Sequence, residues 1–311
     1  GGLGMSYLEL VVIAEELGRA CAPVPFSSTV YLAAEAIMAL GTEAQKQAWL
    51  PKFADGTAIG CFAMGEAGGR VTPDQMSTRM QDGVLNGTKV PVADGGIANV
   101  AIVVCASEKG DGATLALVDL SQDAVSKDNV QMIDFSRGHS ELVFNGACAE
   151  TLGEEGAGWT AVESLMNTAA VLFAWEQIGI ADKALEQARE YALGRFAFGR
   201  SIASYQAIKH KLAKMYVKNT LARSNAYYGA WALNAQASDL AVASATSRVA
   251  AIQASLFAAE ENIQTHGGMG FTWEFDCQFP YRRSKLLSVN IGSEAIWQEK
   301  LISAIEAQRA A

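Results

Sequence analysis

The chain has 311 residues, of which 24 are lysine or arginine and 33 are aspartate or glutamate, so its formal net charge is −9. This acidic balance argues against a nucleic-acid-binding protein, which needs a basic face to displace counterions from phosphates. Charged or polar residues interrupt every apolar run before it reaches the ~18–20 residues that span a bilayer, and no secretory signal pattern is present.

The cysteines are odd in number and far apart: Cys21, Cys61, Cys105, Cys148 and Cys277. No CxxC pair or Cys/His cluster is present, which argues against a disulfide framework and against a metal site such as zinc. We interpret the cysteines as reduced thiols, mostly in the core, of a cytoplasmic protein. The chain begins with Gly1 rather than Met, so we expect the natural chain to begin upstream.

The first ~57 residues are predicted to be helical. Residues 6–20 have apolar residues at helical spacing, with Ser6 as the cap and Gly18 at the end. A second helix is predicted over Val30–Leu40. A third begins at Thr42, with Gln45 as its capping-box partner, and is followed by Pro51.

Short β-branched runs separated by Gly, Asp and Asn turns follow, from about residue 60 to residue 148. Five strands are predicted, within residues 59–64, 83–92, 99–106, 114–120 and 141–147. This pattern is typical of a small, mostly antiparallel β-domain.

The rest of the chain is predicted to be helical, with long helices over residues 159–193, 203–235 and 239–265 and a fourth at the C-terminus. These predict a four-helix bundle. The predicted fold class is therefore α+β. The predicted domains are an N-terminal helical domain at 1–58, a β-domain at 59–150 and a C-terminal bundle at 151–311.

Residues 195–215 are one candidate for a ligand-binding segment. They form a junction between two predicted helices, and the second helix begins with a row of basic side chains. The planar guanidinium of Arg195 can hold a pyrophosphate, and Phe198 can pack beside an adenine or ribose. Gln206 opens the helix. Taken alone, the segment is equally typical of a solvated basic helix face.

The second such segment is residues 264–283. Gln264 has an amide that both donates and accepts, and Gly267, Gly268 and Gly270 permit close backbone approach to a ligand. A double glycine after a helix is also a common C-cap and turn. The histidines (His139, His210 and His266) are scattered, and no nucleophile motif is present. The residues alone therefore indicate no more than a contact with a nucleotide or cofactor.

Taken together, residues 8–26, 41–66, 85–104, 176–215 and 263–274, with Arg282 and Arg283 behind them, resemble the acyl-CoA dehydrogenase family. The resemblance implies that family's fold of helices, β-domain and helical bundle. It also implies an FAD enzyme that oxidises an acyl-CoA to the trans-2-enoyl-CoA and passes electrons to an electron-transfer flavoprotein. In that family, a carboxylate takes the α-proton and flavin N5 takes the β-hydride.

By the same resemblance, Arg195, Phe198 and Gln206 match the residues that grip the pyrophosphate and adenine end of FAD. Gln264 and Gly268 match the other half of that grip. In the family these groups reach into the FAD of a neighbouring subunit, so the resemblance implies an oligomer.

The chain departs from the family where the flavin ring binds. The family has a Thr before the Glu of a Thr-Glu-Pro stretch, whereas this chain has Gly65, Glu66 and Ala67. A Trp-x-Thr that flanks the isoalloxazine in the family is replaced here by Pro91, Val92 and Ala93. Each lost hydrogen bond to the ring is worth about 0.5–1.5 kcal/mol.

The catalytic base is missing as well. The usual base position aligns with Ile291, and the alternative position in the family falls in residues 167–170, Asn-Thr-Ala-Ala. Glu294 and Glu163 are the remaining candidates for a displaced base.

These departures resemble the smaller subunits of heteromeric α2β2 acyl-CoA dehydrogenases, including those of bacterial steroid side-chain degradation. We therefore expect a second, different family subunit to share the FAD site. Two alternatives stay open: a homotetrameric enzyme with a relocated base, and a non-catalytic member that binds acyl-CoA or acts as a scaffold.

Overall fold

The computed structural model describes residues 2–68, 71–107 and 109–310. The chain divides into two compact units, one formed by residues 23–166 with the N-terminal four and the other by residues 5–22 and 167–311. We call them the β unit and the bundle unit. The predicted division into three domains stays a prediction.

The α-helices of the described residues are α1 (Tyr7–Arg19), α2 (Glu35–Leu40), α3 (Glu43–Ala54), α4 (Gly158–Gly194), α5 (Gln206–Asn234), α6 (Leu240–His266), α7 (Gln278–Leu287) and α8 (Glu294–Ala310). The strands are β1 (Gly60–Ala63), β2 (Arg79–Gln81), β3 (Val84–Ala93), β4 (Val100–Ala106), β5 (Ala113–Asp119), β6 (Val125–Val130), β7 (His139–Cys148), β8 (Glu150–Leu152), β9 (Phe196–Ala197) and β10 (Arg200–Ser201). The predicted fold class, α+β with the architecture of helices, β-domain and helical bundle, is confirmed.

Helix α1 begins after Ser6, as predicted, and ends at Arg19, one residue beyond the predicted end at Gly18. The Ser6 hydroxyl accepts from the Leu8 amide at 3.2 Å and the Glu9 carboxylate accepts from the Ser6 amide at 2.8 Å, which completes a capping box. Gly18 does not end the helix. It lies inside α1, where the helix crosses α4 so closely that a Cβ on Gly18 would lie 1.9 Å from the Glu176 carbonyl oxygen.

The predicted helix Val30–Leu40 ends at the predicted residue, but it starts three residues earlier and its first part is a π-helix. A π-helix covers Ser27–Ala34 and α2 follows it. The Ser28 hydroxyl donates to Asp94 at 2.6 Å, and the Thr29 hydroxyl bonds both the amide and the carbonyl of Gly60 at 3.2 Å. Bonds to the sheet therefore anchor the π-helical turns, a feature that helical periodicity does not reveal.

Helix α3 begins at the predicted capping box, in which the Gln45 amide donates to Thr42 at 3.2 Å and the Thr42 amide donates to Gln45 at 3.0 Å. It continues past Pro51 to Ala54. Pro51 therefore lies inside the last turn instead of following the helix, and the amide of Asp55 still bonds its carbonyl at 3.0 Å.

The β unit is built on an eight-stranded sheet with the order β6-β7-β3-β2-β4-β5-β8, and β1 pairs with β4. Only the pairs β1–β4 and β2–β4 are parallel among the described residues, so the predicted mostly antiparallel sheet is confirmed. The five predicted strands are present. The shorter or more polar strands β2, β6 and β8 were not predicted. The inward side chains of β1, β3, β4, β5 and β7 form the core.

The bundle unit contains α1, most of α4, and α5 to α8. The predicted helices correspond to α4, α5 and α6, whereas the predicted C-terminal helix is two helices, α7 and α8. Gly292 has φ +113° in the turn between them, a conformation that favours glycine and interrupts the helix.

Helix α6 is long and apolar enough to cross a membrane by length and composition. Half of that stretch is buried within the protein, and it contains buried polar side chains, among them Arg248, Ser247 and Asn262. These features are typical of the central helix of a bundle.

Candidate functional site

The junction between α4 and α5 is a tight hairpin. Phe198 and Gly199 form its two-residue turn with φ +52° and +77°, the two positive values of a type I′ turn. The Tyr205 hydroxyl donates to the Ala197 carbonyl at 2.9 Å, and the Arg200 guanidinium lies 3.9 Å from the centre of the Tyr205 ring. These contacts fix the hairpin, so Phe198 is held in solvent with 98% of its surface exposed.

The end of α6 carries the second predicted group. Gly267 caps the helix with φ +60° and ψ −137°, a conformation that only glycine adopts readily, and its amide donates to the Gln264 carbonyl. A Cβ built on Gly268 would meet nothing within 4 Å, so its backbone is open to an approaching group.

Two contacts bring these groups to the same end of the bundle. The rings of Tyr191, near the end of α4, and His266, at the end of α6, stack with centroids 4.2 Å apart. Lys211, in the second turn of α5, pairs with Glu261 of α6 at 2.6 Å. The structure therefore places at one end of the bundle unit the segments that carry the five residues predicted to contact FAD: Arg195, Phe198, Gln206, Gln264 and Gly268.

The polar members of this set are available to a ligand. Arg195, Gln206 and Gln264 are exposed, and within the described residues their side chains make no hydrogen bond or ion pair. A guanidinium, two amides and an open glycine backbone suit a pyrophosphate and the hydroxyls of a ribose. This bundle-end group therefore fits the adenine half of FAD.

The β unit lacks the flavin-ring contacts that the family has, as the departures at Gly65 and at residues 91–93 predicted. Gly65 has no side chain, and a Cβ built there would lie 2.9 Å from the Val90 carbonyl oxygen. The Val90 amide donates to the Gly65 carbonyl at 2.9 Å, and a cis peptide joins Val90 to Pro91. No hydroxyl or aromatic ring is present at 65, 91 or 93, so these residues do not fit an isoalloxazine in the way the family's residues do.

Glu66 is held in place by its neighbours. Its carboxylate accepts from Lys89 Nζ at 2.8 Å, from the Ser77 amide and hydroxyl at 2.8 and 2.7 Å, and from the Thr78 amide at 3.1 Å. Burial alone would raise the pKa of Glu66, but these hydrogen bonds outweigh it and hold the pKa at about 2. The carboxylate is therefore a charged structural anchor of this loop.

The position of the usual base carries no carboxylate. Ile291 is buried, and its carbonyl accepts from Trp297 Nε1 at 3.2 Å. Asn167, at the alternative position, accepts from the Ser244 hydroxyl at 3.2 Å.

Neither displaced candidate is a clear replacement. Glu294 Oε1 already accepts from the Gln253 and Gln298 amides at 2.7 and 2.8 Å. Glu163 is exposed on α4.

A buried arginine that the sequence reasoning missed holds the turn beside Ile291. Arg248 donates to the Gln177 side chain at 2.6 Å, to the Asn290 side chain at 2.8 Å and to the Leu287 carbonyl. Complete burial lowers the pKa of Arg248 to about 9. The signal in the sequence was a single arginine within an apolar stretch, because a buried arginine needs hydrogen-bond partners.

Comparison with known proteins places these features in context. Residues 156–305 match a model described as acyl-CoA dehydrogenase, C-terminal domain, and residues 1–57 match acyl-CoA dehydrogenase, N-terminal domain. Human mitochondrial short-chain specific acyl-CoA dehydrogenase is 29% identical over 95% of this chain and 75% of its own length.

Two solved structures share the fold closely. Butyryl-CoA dehydrogenase from Megasphaera elsdenii has a TM-score of 0.89 and 26% identity, covering 97% of this chain and 82% of its own. The Tcur3481-Tcur3483 steroid ACAD variant has a TM-score of 0.87 and 26% identity, covering 98% and 82%.

Proposed function

The chain belongs to the acyl-CoA dehydrogenase family, and on that premise we propose that it is a subunit of a heteromeric enzyme in which an unlike family chain completes the FAD site. Enzymes of this family are FAD-dependent oxidoreductases. The proposed reaction is α,β-desaturation of an acyl-CoA, with electrons passed to an electron-transfer flavoprotein.

In this proposal the bundle-end group of this chain holds the adenine half of an FAD whose ring lies against the other chain. Bound FAD supplies the hydride acceptor. Arg195 neutralises pyrophosphate charge, and the amides of Gln206 and Gln264 hydrogen-bond the polar groups beside it. The Gly268 backbone can come close because no side chain intervenes, and Phe198 can cover the adenine or ribose.

The observation that carries the proposal is a contrast between two sets of residues, each considered within its own unit. The side chains at the bundle end are exposed and unpartnered among the described residues, whereas Gly65 has no room for a side chain and Ile291 offers no proton acceptor. Proton abstraction from an acyl-CoA needs a base within hydrogen-bond reach of the α-carbon. We infer that the partner provides this base, together with the contacts to the flavin ring.

A bulky substrate is part of the proposal. One similar structure is a steroid ACAD named for two proteins, Tcur3481 and Tcur3483. This similarity supports a heteromer that acts on a ring-bearing acyl-CoA. The proposed location is the cytoplasm, which suits the free cysteines found throughout the described residues.

The test is to purify the chain alone and after coexpression with a candidate partner, and to measure bound flavin and acyl-CoA oxidation in each. We expect the chain alone to bind little flavin and the complex to hold one FAD for each pair of unlike chains. Stoichiometric FAD and full turnover in the homomer would overturn the proposal in favour of a homotetramer. Acyl-CoA binding without flavin in any complex would favour a scaffold.

A matched pair of variants locates the contact. Arg195→Gln in the complex should lower flavin affinity about 10-fold or more, because a charge-assisted bond to phosphate is worth about 1.5–3 kcal/mol. Lys218→Gln removes an equal charge from the exposed surface of α5 and should leave flavin affinity unchanged. Equal effects of the two substitutions would show that only overall charge matters.

A further inference from the structure

The hairpin that carries Arg195 is fixed to the last turn of α4. The Arg195 amide donates to the Tyr191 carbonyl at 2.8 Å, as in an α-helix, and the Ile202 amide donates back to the Arg195 carbonyl at 2.8 Å. The Ser201 hydroxyl donates to the Ala192 carbonyl at 2.7 Å. These bonds satisfy carbonyls that a helix end leaves without partners, so the position of Arg195 follows from that of Tyr191.

The turn that follows α6, Gly267–Phe271, is fixed to the end of that helix, and we call it the glycine turn. His266 is the last residue of α6. Its Nδ1 donates to the Asn262 carbonyl at 2.8 Å, because a carbonyl only accepts. A Cβ on Gly270 would lie 2.7 Å from the Ile263 carbonyl oxygen and 3.2 Å from the His266 Cβ. A shift of His266 therefore displaces the glycine turn.

Two side-chain pairs join the ends of α4 and α6. The rings of Tyr191 and His266 stack at 27° with centroids 4.2 Å apart. One turn earlier on each helix, the amide of the buried Asn262 donates to the Gln187 side chain at 2.9 Å. Since both partners advance by four residues, the two helices run in the same direction here and the pairs lie about 6 Å apart along them. The two pairs fix how far each helix end extends beside the other.

Phe275 packs against both rings of the stacked pair. Its ring meets Tyr191 edge-on at 5.6 Å and His266 at an angle of 64° and 5.5 Å. Such edge-to-face contacts are favourable between aromatic rings. Tyr191, His266 and Phe275 form what we call the ring cluster. This cluster joins the end of α4, the end of α6 and the segment after the glycine turn.

The two halves of the bundle-end group extend from opposite sides of the ring cluster. Arg195 lies four residues after Tyr191, and Gly268 lies two residues after His266. A hydrogen bond of about 2.9 Å is lost by about 3.6 Å, so a ligand held by both halves tolerates less than about 1 Å of change between them. A slip of one helix past the other by a single turn would move them about 5.4 Å.

We propose that Tyr191 and His266 are positioning residues for FAD, whose stacked rings set the spacing between the hairpin and the glycine turn. The inference rests on the shared FAD site proposed above. Neither ring needs to touch the cofactor. Because the hairpin depends on Tyr191 and the glycine turn on His266, loss of either ring weakens both halves of the grip.

The coupling is tested without flavin, by hydrogen–deuterium exchange of the chain alone. Tyr191→Leu should accelerate amide exchange in the glycine turn about 10-fold, although it lies on α4, and His266→Leu should do the same in the hairpin. Tyr191→Phe keeps the ring and should leave both segments unchanged. Exchange that rises only in the segment next to the substitution would overturn the proposal.

Ile252→Ala is the matched control for these variants. Ile252 is buried on α6, fourteen residues or about 21 Å before His266. Its truncation removes apolar contacts from the bundle without touching the ring cluster, and it should leave exchange in the hairpin and the glycine turn within about twofold of the original. Equal acceleration by Ile252→Ala would show that general loss of stability explains the effect, and would refute positioning.

Flavin affinity of the complex tests the function. Tyr191→Leu and His266→Leu should each lower it about 10-fold or more, and the double variant by no more than about twofold further, because the two rings share one contact. Tyr191→Phe should retain the original affinity, and circular dichroism verifies folding. Fully additive losses, or an equal loss in Ile252→Ala, would refute the positioning role. An unmodified complex without flavin would refute the shared site instead, and the exchange result would then decide the coupling.

Discussion

The Val90 carbonyl oxygen occupies the space that a side chain on Gly65 would need, with only 2.9 Å between it and an ideal Cβ. Restoring the family's threonine with Gly65→Thr should therefore destabilise the β unit by about 1–3 kcal/mol, because backbone must move. We expect no gain of flavin in the chain alone. Urea unfolding and flavin absorbance provide the two measurements.

Ala67→Thr is the control for that substitution, since Ala67 is exposed two residues further along. It should leave the unfolding midpoint within about 0.5 kcal/mol of the original, as surface changes usually do. A stable Gly65→Thr chain that retains FAD would show that the loop adapts and that the missing hydroxyl was the only obstacle.

The Glu66–Lys89 pair predicts a pH dependence of stability. The pKa of Glu66 is lowered to about 2 in the folded protein, so its contribution is complete above the unfolded value of about 4.3 and is lost as the pH falls towards 2. Glu66→Gln should lower the free energy of unfolding by about 2 kcal/mol at pH 7. The difference should shrink between about pH 4.5 and 2.

Glu43→Gln provides the comparison for this measurement. The Glu43 ion pair with Lys46, at 3.1 Å, lies on the surface of α3, and such pairs contribute under about 1 kcal/mol. A difference for Glu66→Gln that stays constant from pH 7 to pH 3 would contradict the role assigned to the Glu66 carboxylate.

The crossing of α1 and α4 depends on a pair of glycines. A Cβ on Gly179 would lie 1.9 Å from the Glu15 carbonyl oxygen, just as one on Gly18 would approach Glu176. Gly179→Ala should therefore lower the thermal midpoint clearly, with a loss of about 2 kcal/mol or more. Gly194→Ala, in open space at the end of the same helix, should be neutral or stabilising by up to about 1 kcal/mol.

Turnover of the heteromeric complex should be insensitive to Glu294. Glu294→Gln preserves the side-chain shape and an oxygen that accepts from Gln253 or Gln298. We expect less than a twofold change in the rate of acyl-CoA oxidation at saturating substrate. A fall of about 100-fold with flavin retained would identify Glu294 as a relocated base.

The sequence was sufficient for the elements whose signals are local. The cap at Ser6 and the capping box at Thr42 predicted two helix starts to within a residue, and the short β-branched runs predicted the five main strands. It was not sufficient where distant partners decide the structure. The π-helix depends on the bond from Ser28 to Asp94, and the polar strand β6 exists because β7 pairs with it.

The candidate site divides in the same way. Resemblance selected the five bundle-end residues, and the structure places the segments that carry them at one end of the bundle unit, whereas their contact with FAD stays a prediction. Resemblance was not enough to find Arg248, whose importance lies in contacts with the distant turn at Asn290.

Phe198 lies at the tip of the hairpin between α4 and α5 with a positive φ of +52°. It is a bulky residue with positive φ, which costs about 1 kcal/mol, at a turn position where asparagine followed by glycine is strongly preferred. Phe198→Asn should therefore raise the thermal midpoint of the isolated chain while reducing flavin retention in the complex. In the proposed complex, contact of the Phe198 ring with bound FAD would offset this local cost, which the separate chain carries without compensation.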